Sequence, residues 1–267
     1  MDASDPSIPP IPATGPTRRG VLGAGAAASV AAGLMVHSSR AAAEEIREIR
    51  LGIVGCGGRG AGAIQDSLSI NEGVKLVAAA DLYDSKCASL RKTLQEKFAA
   101  KLALDDAKMF GGLDGYKRVL DDKDVDVVLF ATSPGFRPAY VKAAVEAGKH
   151  VFAEKPTCVD PAGYRTCLEA HDLAVQKGTA IVTGTQYRRQ ANYIGAVEQI
   201  RQGAIGDIIG ATSRYCSEGI WYRPRRTGMS DVEYQLNNWY HFIWLSGDQI
   251  VEQAVHNIDT INWVMGT

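Results

Sequence analysis

Ile49-Arg50-Leu51-Gly52-Ile53-Val54-Gly55-Cys56-Gly57-Gly58-Arg59-Gly60 decides the fold. A short apolar run opens into Gly55-x-Gly57-x-x-Gly60, the phosphate-cradling turn of a dinucleotide-binding βαβ unit. Gly55 makes the tight turn off the strand. Gly57 lets the backbone approach a pyrophosphate that a Cβ would push away, and Gly60 lets the following helix pack close to the strand. The helix N-terminus offers free N–H groups and a positive dipole end to the phosphates. The turn residues Gly55, Cys56, Gly57, Gly58, Arg59 and Gly60 are therefore candidate cofactor contacts. A helix over residues 61–68 and a strand over 74–80 follow, and that strand ends in Asp81. Asp81 stands about 20 residues past the last glycine, where an acid can bond the adenosine ribose hydroxyls.

Downstream, strand and helix patterns alternate. Residues 85–101, 115–120, 138–147 and 161–178 read as helices. Residues 108–110, 125–131, 150–153 and 180–185 read as strands, and 125–131 is apolar throughout, as a buried parallel strand requires. Six strands with helical crossovers predict an α/β fold, a doubly wound Rossmann sheet over residues 44–187. The texture changes in residues 188–267, which read as the start of an α+β substrate domain with an open sheet. There, 193–202 reads as a helix, 205–215 as strand-like and 221–237 as a long polar loop. Ser246-x-x-Gln249 reads as a capping box opening a helix over 247–265.

Composition narrows the function. The net charge of −1 gives no basic patch for nucleic acid. The five cysteines, Cys56, Cys87, Cys158, Cys167 and Cys216, show no C-x-x-C pair, so no metal site is expected and all read as free thiols. Residues 1–43 read as an address. A Pro/Ser/Thr-rich lead precedes Arg18-Arg19, a soft Ala/Gly-rich run and Ala41-Ala42-Ala43, the pattern of a twin-arginine secretion signal. The apolar run of about 16 residues is short for a span of about 20. Removal of the signal leaves no stable membrane insertion; retention as an anchor is the alternative.

The string Ala147-Gly148-Lys149-His150-Val151-Phe152-Ala153-Glu154-Lys155-Pro156 follows Gly55, Asp81 and Ala131-Thr132-Ser133-Pro134 in order. This set resembles the Gfo/Idh/MocA oxidoreductases, relatives of glucose–fructose oxidoreductase and inositol dehydrogenase. The twin-arginine signal, Trp239-Tyr240-His241-Phe242 and Glu252-Gln253 resemble an exported subgroup. The resemblance implies NAD, with NADP less favoured, and cofactor contacts from Thr132, Ser133, Glu154, Lys155 and Gln186. It places the catalytic lysine at Lys155, where it exchanges a proton with the substrate hydroxyl. The family's Asp and His four residues apart fall on Glu252 and His256, with Asp259 one turn further. Glu for Asp departs from that pattern. Tyr140 reads as a packing residue. Trp221, Arg223, Arg225 and Arg226 fit either a carbohydrate pocket or a mobile basic loop.

The resulting expectation is an NAD(P)-dependent oxidoreductase acting on a sugar, cyclitol or related polyol. A redox-assisted, NAD-dependent glycoside-cleaving enzyme and a non-catalytic nucleotide-binding protein are the alternatives. The resemblance also implies a homo-oligomer formed through the second domain's sheet. Because that sheet mostly follows the helix bearing His256, a longer gene product is expected. The address predicts export with a mature chain starting near Glu44; intact-mass measurement on fractionated native cells checks this, and a full-length cytoplasmic protein overturns it.

Overall fold

The computed structural model describes residues 48–266, so the predicted leader and secretion signal lie outside the described residues. Six parallel strands form one sheet in the order β3-β2-β1-β4-β5-β6. They are β1 (Ile49–Val54), β2 (Val74–Asp81), β3 (Met109–Gly111), β4 (Val127–Phe130), β5 (His150–Ala153) and β6 (Ile181–Val182). Helices α1 (Gly58–Ile70), α2 (Asp84–Phe98), α3 (Gly115–Asp121), α4 (Arg137–Glu146) and α5 (Pro161–Lys177) supply the crossovers.

Both sheet faces are covered, which is why the strands are apolar on both sides. Leu51, Ile53, Leu76 and Leu129 pack with Ile64 and Leu68 of α1 and Leu90 and Leu94 of α2. Val54, Val77, Val128, Phe130 and Val151 pack on the other face with Val119, Val141, Val145 and Ala170. Tyr140 belongs to that second cluster, stacked on Tyr116 with centroids 4.0 Å apart. This is the packing role predicted for it. Helix α5 shows the expected punctuation. The Asp160 side chain accepts from the Gly163 N–H at 2.6 Å, Pro161 opens the first turn, and Gly178 closes the helix in the left-handed region at φ 67°.

The chain leaves β1 toward β3, then returns to β4 on β1's other side. A crevice opens where the order reverses, at the strands' carboxyl ends. There the loop after β1 lies against the loop after β4. Gly55 has φ +98°, and a Cβ on it would stand 2.7 Å from the Ala131 carbonyl carbon and oxygen.

Beyond β6 the structure departs from several expectations. Residues 205–215 form no strand; they lack regular structure, and Ile209 is fully exposed. A strand-like run with no neighbouring edge cannot satisfy its backbone groups by pairing. The predicted loop at 221–237 ends in helix α7 (Asp231–Asn237), after α6 (Ala191–Arg201). The Ser230 side chain caps α7 by accepting from the Glu233 N–H. The predicted helix over 247–265 is present from Asp248 onward, with a π-helical stretch within it and a separate turn before it. Ile243–Ser246 is a one-turn helix, and Gly247 and Asp248 are left-handed at φ 73° and 66°. A π-helical segment, Ile250–Ala254, then leads into α8 (Val255–Met265). Ser246 and Gln249 form no capping box. Instead Ser246 Oγ accepts from the Asp248 N–H and Asp248 Oδ1 from the Gln249 N–H.

The glycine turn yields a paired prediction. Alanine in place of glycine inside a helix ordinarily stabilises by up to about 1 kcal/mol. At Gly60, however, the new Cβ would collide with the Gly55 carbonyl oxygen, and overpacking of this kind costs about 1–3 kcal/mol. Gly60→Ala is therefore expected to lower Tm by several degrees. Nothing lies within 4 Å of a Cβ built on Gly57, so Gly57→Ala is expected to hold Tm while losing nucleotide affinity. Thermal melts with and without NAD check both, and equal Tm values for the two variants contradict the assignment.

Candidate active site

A cleft of about 390 Å³ lies over the carboxyl ends of β1 to β4. Gly55, Gly57, Gly58, Arg59, Asp81, Thr132 and Ser133, all singled out in the sequence, line it. No side chain caps α1, so its first N–H groups stay available to an anion. Nothing lies within 4 Å of a Cβ built on Gly57 or Gly58. The buried Thr132 hydroxyl has no partner among the described residues. These residues fit a dinucleotide.

Cys56 and Gly60 lie beneath that surface. The Cys56 N–H donates to Asp81 Oδ2 at 2.8 Å, and its sulfur stands 3.7 Å from Cys87 Sγ. Gly60 is buried against Gly55. Asp81 also accepts from the Tyr83 N–H at 3.1 Å. Two backbone donors thus fix the carboxylate, and each oxygen keeps capacity for a further donor. Arg59 reaches across the turn and donates from Nε to Glu154 Oε1 at 2.7 Å.

Lys155 follows β5, before a cis peptide to Pro156. Its Nζ donates to Glu252 Oε1 at 2.8 Å and to the Glu252 carbonyl oxygen. Glu252 and His256 are both buried, at 7% and 4% exposure. Glu252 Oε2 and His256 Nδ1 have no partner among the described residues, and buried polar atoms in that state point to a ligand or water. Burial pushes the Glu252 carboxyl up, against the pull of Lys155. Burial, and then the Lys155 charge, pushes the His256 imidazole down, so its neutral form is favoured. The structure therefore gathers Lys155, Glu252 and His256, with Glu252 bonded to the lysine and not to the histidine.

Asp259 serves a different purpose. It accepts from Thr185 Oγ1 and, at 2.9 Å, from Arg188 Nε. Burial opposes its charge, yet these donors hold its carboxyl below the usual range. Gln186 begins an exposed 3₁₀ turn and lines no part of the cleft. Its neighbour Tyr187 comes closer, with its ring centroid 5.2 Å from that of His256.

Arg137 escaped the sequence reading. It is 2% exposed and donates to the carbonyls of Thr132 and Pro156. One guanidinium thus ties the loop after β4 to the loop carrying Lys155. Trp221 and Arg223, expected in a carbohydrate pocket or a mobile loop, line the dinucleotide cleft instead. Arg225 pairs with Asp231 at 2.6 Å and Arg226 with Glu233 at 3.6 Å, tying the basic stretch to α7.

Fold and cleft together define a dinucleotide-binding α/β protein with a lysine-centred polar site beside the cleft. Residues 49–185 match the Gfo/Idh/MocA family, the oxidoreductase family with an NAD-binding Rossmann fold, and the chain belongs to it. Over 222 residues it is 27% identical to the inositol 2-dehydrogenase of Acidothermus cellulolyticus, covering 83% of this chain and 54% of that protein. It is 26% identical over 197 residues to glycosyl hydrolase family 109 protein 2 of Shewanella sp. (strain ANA-3), covering 73% of this chain and 40% of that one. The WlbA dehydrogenase of Bordetella pertussis, solved with NADH and UDP-GlcNAcA, shares the fold. Its TM-score is 0.60 at 22% identity, covering 82% of this chain and 55% of that one. The chain spans about half the length of the curated relatives it matches.

The fixed Asp81 carboxylate predicts a cofactor preference. A 2′-phosphate would meet it at close range, although Lys86 and Arg223 line the same cleft. NAD is expected to bind at least about tenfold more tightly than NADP, roughly 1.4 kcal/mol of repulsion. Asp81→Ala is expected to narrow that gap. Parallel titrations measure it, and equal wild-type affinities count against this role for Asp81.

Proposed function

We propose that this chain carries the nucleotide site and the acid–base residues of an exported NAD-dependent oxidoreductase. Its substrate in this reading is a sugar, cyclitol or related polyol. The supporting observation is the convergence of Lys155, Glu252 and His256 beside the dinucleotide cleft. Bound NAD supplies the hydride acceptor. Lys155 and His256 exchange the proton of the substrate hydroxyl, and Glu252 positions the lysine Nζ through two hydrogen bonds. A polyol suits the unpartnered Glu252 Oε2 and His256 Nδ1, because each can take a hydroxyl partner. Export by the twin-arginine route and assembly through a second-domain sheet belong to the same proposal.

One observation favours a second reading. Several relatives are named glycosyl hydrolase family 109 proteins. In that reading, NAD held by the glycine turn and Asp81 would supply a transient oxidation that eases cleavage of a glycosidic bond and would undergo no net reduction. Screening free sugars for NADH fluorescence, and aryl glycosides for phenol release, separates the two. Net NADH supports the dehydrogenase, whereas cleavage without net NADH supports the second reading.

Lys155→Ala is expected to retain nucleotide binding and to lower turnover by about two to four orders of magnitude. His256→Asn is expected to do the same. Because the neutral imidazole is the proton acceptor and its pKa is held below the ordinary value, kcat/KM should fall only as the pH drops below the usual histidine range. Near-wild-type turnover in either variant, or an acid limb at or above the ordinary histidine value, overturns the assignment.

A further inference from the structure

Two walls of different origin enclose the dinucleotide cleft. One carries Asp81 from the end of β2, Tyr83 from the turn after it and Lys86 from the start of α2. The other carries Trp221, Arg223, Asn237 and Trp239 from the region beyond the nucleotide-binding fold. Tyr83, two residues past Asp81, accepts a hydrogen bond from Asn237 of the second wall, so this wall faces the half of the site marked by Asp81, where adenosine belongs.

The second wall is fixed internally and latched externally. Asn238, 1% exposed, accepts from the Arg223 N–H at 2.8 Å and donates to the Arg223 carbonyl at 2.9 Å. The Arg223 guanidinium lies 4.6 Å over the Trp221 ring and donates to the Asn237 carbonyl at 3.0 Å. The latch is Tyr83, two residues past Asp81. Asn237 Nδ2 donates to its hydroxyl at 2.7 Å, and that hydroxyl donates to Glu233 Oε1 at 3.3 Å.

We infer that residues 221–239 form a clasp over the adenosine half of the dinucleotide, latched by Tyr83 to Asn237 and Glu233, and that the clasp controls nucleotide release. The chemistry of the wall suits that ligand. Indole rings stack on a purine, and a guanidinium has five N–H donors, of which the Asn237 carbonyl takes one. Ribose hydroxyls and the diphosphate can take others. The clasp grips adenosine and leaves the Lys155 side free. A nucleotide held in this way stays through successive turnovers while substrates exchange beside it. The inference rests on the dinucleotide reading of the cleft and is independent of the substrate.

The test uses ADP-ribose, which carries the adenosine and diphosphate and lacks the nicotinamide. Calorimetry gives Kd for NAD and for ADP-ribose, and stopped-flow displacement of NADH gives its dissociation rate. Trp221→Ala is expected to raise Kd for both ligands by about tenfold to a hundredfold, the usual loss of one stacking platform. Tyr83→Phe keeps the ring and removes the latch hydroxyl. It is expected to speed NADH release by about tenfold with little change in Tm. Lys155→Ala is the comparator and should leave ADP-ribose binding unchanged. If wild-type protein binds ADP-ribose and both clasp variants match its affinity and release rate, the clasp is wrong and the cleft stands. If wild-type protein binds neither NAD nor ADP-ribose, the dinucleotide reading fails and the clasp fails with it.

Discussion

The contact between Lys155 and Glu252 joins two regions separated by 97 residues in sequence. One end follows a strand of the nucleotide-binding sheet; the other sits on a π-helical turn beyond it. Removing charges from water costs several kcal/mol per ion, and a buried pair often returns little net stability. Its value here is positional. Lys155 Nζ is held by two acceptors of one residue, so its location follows that of the π turn. His256 follows in the first turn of α8, near enough for the lysine charge to push its imidazole toward neutrality. The geometry of the Lys155, Glu252 and His256 cluster therefore depends on how the C-terminal segment seats against the sheet.

That seating has identifiable supports. Gly135 lies in the 3₁₀ turn Pro134–Phe136, and a Cβ there would collide with the Trp244 carbonyl oxygen. The absent side chain permits the one-turn helix Ile243–Ser246 to approach the sheet end, with Leu245 fully buried. Phe136 meets Trp244 edge-on at 6.1 Å. Behind this contact Arg137 bridges the Thr132 and Pro156 carbonyls. Burial lowers the Arg137 pKa to about 10, yet that value still leaves the guanidinium charged near neutral pH. Its five donors suit the task of holding two loops at once.

The nucleotide-binding half was legible because its signals are local. An apolar strand, a glycine turn and an acid at the end of the next strand lie within about 30 residues. The order of elements through α5 follows from periodicity and from the Pro and Gly punctuation. What escaped depended on long-range contact. Residues 205–215 have strand-like side chains and no edge to pair with. Helix α7 carried a readable signal, the capping box Ser230-x-x-Glu233, masked by the Arg and Pro of the preceding stretch. Arg137 and the Tyr83–Asn237 latch carried none, because nothing near an arginine or a tyrosine announces partners 19 or 154 residues away.

Glu252 shows how a departure from the family pattern is accommodated. The resemblance places an aspartate at this position, and a glutamate carries its carboxyl one methylene further out. The same residue sits in a π-helical segment, where the wider turn displaces side chains from the spacing of an α-helix. The two departures coincide at one position. The longer side chain reaches the Lys155 ammonium while the backbone carbonyl of the same residue also accepts from it. Of the two carboxyl oxygens, Oε1 is committed to the lysine and Oε2 is unpartnered. His256, four residues on, has an unpartnered Nδ1. The acid at this position is therefore bonded to the lysine, and the imidazole Nδ1 and one carboxylate oxygen have no partner among the described residues.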